Sequence, residues 1–223
     1  MHKMHNESNT KSGLETTGAT LHKASQYDFH TSLMGLGVNR SNSRMIIEMA
    51  KIKPRDKVLD VGCGSGNLTL TAKKYVGTSG SVYGIDAAPE MIEVAKGKAS
   101  RSQLEAFFDV GLIEKLPFPD ATFDVVISRL VIHHLPDDLK QRGFAEVFRV
   151  LKPNGRVFLA DFAPPTNPIL SHIASAFVGH EMMTRSNVAV IPPMLIEVGF
   201  TDVASGQTRS TFLAFVSGKK PGN

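Results

Sequence analysis

The 223-residue chain is 42% hydrophobic and 21% charged with a formal net charge of +4, the balance of a globular protein with one well-buried α/β domain. A single cysteine, Cys63, excludes an intrachain disulfide and a multi-cysteine metal site, and no run of about 18 apolar residues is present to cross a bilayer. The lysines and arginines are scattered, without a basic run or interleaved aromatics, which argues against a nucleic-acid partner.

The opening MHKMHNESNTKSGLETTG lacks the apolar core of a signal peptide, so residues 1–20 are expected to form a flexible polar tail on a cytoplasmic protein. Residues 21–50 space Tyr27, Phe29, Leu33, Met34, Leu36, Met45, Ile46, Ile47 and Met49 among polar ones. Helical spacing sets in toward the end, where Ser41 or Ser43 is a candidate cap. Lys57–Val61 reads as a buried strand running into glycines, followed by a helix over Leu68–Tyr75. Ser81–Asp86 is a second strand, and Pro89–Lys98 a helix with proline in its first turn. Leu104–Asp109 and Phe123–Ser128 read as strands, Asp137–Leu151 as a helix, Lys152–Gly155 as a turn and Arg156–Asp161 as a fifth strand. This alternation implies βαβ units. Beyond Pro164 and Pro165 it stops: helices are expected over Asn167–Met183 and Pro192–Val198, then an antiparallel pair, Asp202–Gln207 and Thr211–Ser217.

The segment Asp60-Val-Gly62-Cys-Gly64-Ser-Gly66 joins the first strand to a helix, where open parallel sheets bind ligands. Asp86 ends the second strand, placed to accept hydrogen bonds from ribose hydroxyls. A dinucleotide asks for G-x-G-x-x-G, with pyrophosphate on the helix N-terminus. Here Asn67 occupies the third-glycine position, and Asp60 suits a positively charged cofactor. The pattern favours S-adenosylmethionine (SAM), with its ammonium and sulfonium groups, over NAD.

VLDVGCGSGNLTL, VYGIDAAPEMIEVA, LPFPDATFDVVISRLVIHHL and EVFRVLKPNGRVFLADF resemble the successive motifs of class I SAM-dependent methyltransferases. They are similar in particular to the small-molecule branch that includes ubiquinone and menaquinone methyltransferases. The resemblance is strong over residues 53–161 and implies an α/β, three-layer Rossmann-like sandwich around a mostly parallel seven-stranded sheet with an antiparallel last strand. It implies a helical N-terminal lid at 21–50, a SAM-binding domain at 51–218 with a helical substrate cover at 162–200, and a tail at 219–223. Gly62, Gly64 and Gly66 would wrap the amino-acid and ribose side of SAM, and Asp86 would hold the ribose. Ala87 and Met91 would flank the adenine, Ser128 and Arg129 would lie under the methionine portion, and Tyr27 would close from the lid. The family often has Gly-Asp-Ala where this chain has Gly111-Leu112-Ile113, so backbone groups of Leu112 and Ile113 would read the adenine edge instead.

The implied reaction moves a methyl group from SAM to an oxygen, nitrogen or carbon of a small acceptor, apolar or aromatic, leaving S-adenosylhomocysteine. The alternatives are a nicotinamide-dependent oxidoreductase and a non-catalytic SAM-binding module. His133 and His134 are candidate bases because imidazole titrates near neutrality; Asp161 either positions substrate or satisfies turn amides. No His/Asp/Glu cluster has the spacing of a metal site. The stripe Ile169, Ile173, Phe177 roofs a substrate, packs a dimer, touches a membrane surface or packs on the sheet, its few positive charges arguing against the membrane; the protein is read as a monomer or homodimer.

Overall fold

The computed structural model describes residues 38–163, 188–210 and 213–222. The expectations for the 1–20 tail, Tyr27 and the helix over Asn167–Met183 lie outside these residues.

The elements, in chain order, are α1 (Val38–Met49), β1 (Lys57–Val61), α2 (Asn67–Val76), β2 (Ser81–Asp86), α3 (Pro89–Arg101), β3 (Phe107–Val110), β4 (Phe123–Arg129), α4 (Asp137–Val150), β5 (Leu151–Phe162), α5 (Ile191–Val198), β6 (Thr201–Gln207) and β7 (Leu213–Lys219). Short 3₁₀ turns at Ile132–His134 and Val188–Val190 precede α4 and α5. The helix starts follow local chemistry. Pro89 enters the first turn of α3 beside Glu90, and Asp137 and Asp138 open α4; acids there face the positive end of the helix dipole.

The seven strands form one sheet in the order β3-β2-β1-β4-β5-β7-β6. Strands β1 to β5 pair in parallel, and β7 runs antiparallel to both β5 and β6. Both faces are covered, as the β-branched, doubly buried strands require. Val58, Val125, Ile127 and Phe158 pack with Ile46 and Ile47 of α1 and Leu68 of α2. The alternate residues Leu59, Val126 and Leu159 pack with Phe144 of α4 and with Ile191 and Leu195 of α5. The later half of the expected lid is therefore core, with Ile46 and Ile47 fully buried. The same holds for the end of the expected substrate cover, where Ile191 and Leu195 are buried.

Several boundaries differ from the sequence reading. Helix α1 begins at Val38, so Ser41 and Ser43 lie inside it; Ser43 is buried and accepts a hydrogen bond from Arg129. Strand β3 starts at Phe107 rather than Leu104, because Gln103 turns left-handed (φ 52°) and the Leu104 amide closes back on Ala99 O. The Lys152–Gly155 turn is a bulge within β5: Phe123 pairs with Leu151 but Val125 pairs with Arg156, and Asn154 takes φ 65° between them. The expected 219–223 tail is tied down through Lys220, whose ammonium donates to Phe148 O and Leu151 O at 2.8 Å and caps the end of α4.

Strand order reverses at β1. The chain runs outward through β2 and β3, then returns to the other side of β1 as β4. The carboxyl ends of β1, β2 and β4 flank that switch, the preferred ligand position in such sheets.

Candidate cofactor and acceptor site

The loop after β1 is held from beneath by β2. The amides of Gly62 and Cys63 both donate to Ile85 O, at 2.8 and 2.9 Å, and Gly66 N closes a turn onto Cys63 O. Gly62, Gly64 and Gly66 all sit at positive φ, 70°, 51° and 80°. At Gly62 a side chain is excluded twice over, since a Cβ would stand 2.3 Å from a Val131 methyl. At Gly64 a Cβ would meet nothing within 4 Å, so the loop presents open backbone there.

Asp86 faces this loop. One carboxylate oxygen accepts from Gly64 N at 2.8 Å and the other from Ala88 N at 3.0 Å. Burial raises its pKa, and the Ala88 and Gly64 amides oppose the rise. A carboxylate has about four acceptor directions, so the two amides pin its orientation and leave capacity for two hydroxyls. Ala88 and Met91 are buried together beside it, with Ala87 partly exposed. Beyond β2, Gly111 N donates to Asp86 O. Ile113 is buried in the core against α4, and Leu112 bridges to Lys115.

Asp60 is 1% exposed. Alternation along β1 turns its side chain away from Leu59 and toward α2, where Thr69 Oγ1 donates to it at 2.6 Å. Burial pushes its carboxyl up to about 6, although the Thr69 bond and the Arg129 charge pull it down. Its direct partner is the helix after the glycine loop. Cys63 is also buried, and burial pushes its thiol well above the usual range, as for a small packing residue.

Past β4 the chain turns sharply. Leu130 takes φ 59°, its amide held by Ala160 O, a costly conformation for a bulky residue and one that recurs at functional sites. Ser128 is buried with its hydroxyl donating to Val61 O, and Arg129 reaches Ser43. These two residues tie β4 to the glycine loop and to α1.

The turn delivers His133 to the end of β5. His133 Nδ1 lies 2.6 Å from Asp161 Oδ1, with side chains 7% and 4% exposed. Asp161 also accepts from the amides of His133 and Phe162, as the turn-acceptor reading expects, and the contact with the His133 ring is one the sequence reading did not name. A carboxylate in its ionised form only accepts, so against it the neutral imidazole tautomer of His133 is the one with its proton on Nδ1 and its lone pair on Nε2. The His134 ring lies 3.9 Å from the His133 ring, centroid to centroid. Burial lowers its pKa to about 4, with repulsion from His133 when that ring is protonated adding to the fall and Asp161 opposing it, which makes it a weak base at neutral pH.

Thus the glycines, Asp86, Ala87 and Met91 gather at the β1–β2 end, and His133, His134 and Asp161 at the β4–β5 end. Sequence reasoning gave no role to Val131 and Thr69, which stand inside the quoted motifs, or to Lys98, which stands outside them, and it read Ser43 only as a candidate cap. Among the described residues no group of His, Cys, Asp and Glu could hold a metal ion, and no helix is long and apolar enough to cross a membrane.

A family model described as a methyltransferase domain matches residues 58–155. The ubiquinone/menaquinone biosynthesis C-methyltransferase UbiE of Citrifermentans bemidjiense is 34% identical over 202 residues, 81% of this chain and 85% of that protein. The chain belongs to the class I SAM-dependent methyltransferases. Another methyltransferase, the demethylmenaquinone enzyme of Lactobacillus johnsonii, is 34% identical over 149 residues, 66% of this chain; the match spans only 60% of that relative's length. Among solved structures, a SAM-dependent methyltransferase from Aquifex aeolicus shares the fold, with a TM-score of 0.67 at 21% identity over 82% of this chain and 92% of that one. The site fits the family's cofactor. Gly64 offers backbone with nothing within 4 Å of where a Cβ would stand, and Asp86 is oriented with acceptor capacity to spare.

Proposed function

We propose that this methyltransferase transfers the methyl group of SAM to an oxygen, nitrogen or carbon of a small acceptor, apolar or aromatic. The observation that carries the reading is the Asp86 carboxylate hydrogen-bonded to Gly64 N between the carboxyl ends of β1 and β2. When bound, SAM supplies a methyl group already activated on sulfonium sulfur. The protein's work is then alignment, exclusion of water and, for an acceptor that must lose a proton, a base.

Asp86 holds the ribose hydroxyls, and the backbone of Gly62 and Gly64 admits the amino-acid portion. Gly66 keeps the loop against α3, Ala87 and Met91 flank the adenine, and the Leu112 and Ile113 backbone reads its edge. Ser128 and Arg129 act through the ties they make, Ser128 to Val61 O and Arg129 to Ser43. Asp60 acts likewise by anchoring Thr69 at the start of α2. His133 takes the acceptor's proton at Nε2, and Asp161 fixes its tautomer and stabilises the imidazolium that forms. His134, neutral at pH 7, offers a hydrogen bond rather than basicity. The names of the UbiE relatives, C-methyltransferases of quinone biosynthesis, support an aromatic acceptor.

Calorimetric titration with SAM, S-adenosylhomocysteine and, as control, NADH tests the reading. Micromolar binding of the first two and none of NADH is expected. A folded protein that binds NADH and neither sulfur compound would sink it.

A further inference from the structure

Helix α3 presses one face against the glycine loop. A Cβ on Gly66 would stand 3.0 Å from Ala95 Cβ, and Ile92, Ala95 and Ala99 are buried in one cluster with Cys63. One step along that face, at the i+3 position from Ala95, Lys98 reaches over the loop. Its ammonium donates to Ser65 Oγ at 2.8 Å and to Asn67 Oδ1 at 3.1 Å. Ser65 and Asn67 flank the left-handed Gly66, and Asn67 is the first residue of α2. A single cation thus clasps both sides of the turn that leads from the open Gly64 backbone into the helix.

This placement runs against simple helix electrostatics. The start of α2 is the positive end of its dipole, with no acidic residue in its first turn, and a cation beside it is disfavoured by charge alone. Two charge-assisted hydrogen bonds to neutral side chains offset that cost, and what they secure is the shape of the loop. The same helix α3 begins directly after Asp86-Ala87-Ala88. Lys98 therefore connects the ribose-side carboxylate and the amino-acid-side loop through one rigid rod, fixing the separation that a ligand must span.

We propose that Lys98 is a positioning residue for the cofactor, a clasp from α3 that holds the Ser65–Asn67 turn so that Gly64 and Asp86 stay in register. The proposal rests on the SAM reading above. The test is calorimetry on the full chain with S-adenosylhomocysteine and SAM, alongside ligand-free thermal unfolding. Lys98→Met keeps the side-chain length and removes the donor; it should weaken both ligands about tenfold, with the ligand-free Tm close to wild type. Lys98→Arg, which can still donate to both acceptors, should recover most of the affinity. In the combined Ser65→Ala, Asn67→Ala background the Lys98→Met change should cost little more, because the two acceptors that form the clasp are gone. Wild-type affinity in Lys98→Met would overturn the proposal, as would a full tenfold loss persisting in that background. Failure of the wild-type protein to bind either ligand would instead overturn the SAM reading.

Discussion

Gly62→Ala measures how tightly the glycine loop is locked to the turn after β4. At φ 70° an alanine pays about 1–2 kcal/mol for left-handed backbone. Its Cβ would also stand 2.3, 2.7 and 3.0 Å from Cγ2, Cγ1 and Cβ of Val131. Val131 is β-branched and stiff about χ1, so the conflict cannot be relieved by swinging a flexible tip, and overpacking adds about 1–3 kcal/mol. The total is roughly 2–5 kcal/mol. Gly64→Ala is the internal control, because at φ 51° it meets the same backbone cost with nothing within 4 Å of the new methyl. Urea unfolding of both variants should show unchanged m-values and a larger midpoint loss for Gly62→Ala. Adding Val131→Ala removes the two nearest atoms and should return roughly 1–3 kcal/mol as a coupling energy. Equal losses for the two glycine variants, or strict additivity with Val131→Ala, would refute the packing argument.

Asp86→Ala should weaken SAM by roughly 1–3 kcal/mol, because the ribose partner goes and the Gly64 and Ala88 amides lose their acceptor; an unchanged Kd in a folded variant would move the cofactor elsewhere. His133→Ala should leave SAM affinity intact while lowering turnover of a proton-losing acceptor by roughly 10²–10⁴-fold. Asp161→Asn should lower it too, by disturbing the tautomer, and full turnover in both variants would remove the base from this dyad. Asp60 titrates in the fold near 6, above its ordinary 3.8, so the folded state holds its proton more tightly than the unfolded chain. That contribution is complete below about pH 4 and is lost as pH rises through about 6. Asp60→Asn should therefore gain on wild type by roughly 2–3 kcal/mol between about pH 4 and pH 7, read from urea midpoints; a pH-independent difference would contradict the burial argument.

The frame of the protein was legible because its determinants are local. Lys57–Val61 and Ser81–Asp86 fold with the bounds their runs of buried residues predict. The glycines between β1 and α2 take the left-handed backbone their residue type permits. Where boundaries moved, at Leu104 and at Lys152–Gly155, a left-handed Gln103 or Asn154 redirected the chain; Pro153, Asn154 and Gly155 announce their turn, whereas Gln103 carries no such composition signal. The site was legible to the extent that it follows from strand ends, which place Asp86, Asp161 and the histidines on the same edge of a parallel sheet. What each side chain does there depends on neighbours distant in sequence. His133 and Asp161 are separated by all of α4 and most of β5, yet only their contact singles out His133 over His134 as the proposed base. Burial, with His133 beside it, lowers His134 to about 4. Asp60, whose charge pointed to the cofactor, accepts from Thr69, and Lys98, silent in every motif, closes on Ser65 and Asn67. Periodicity and turn chemistry are properties of short segments and can be read along the chain. Hydrogen-bond partners and desolvation are properties of the folded neighbourhood, and only the packed sheet and its helices decided them.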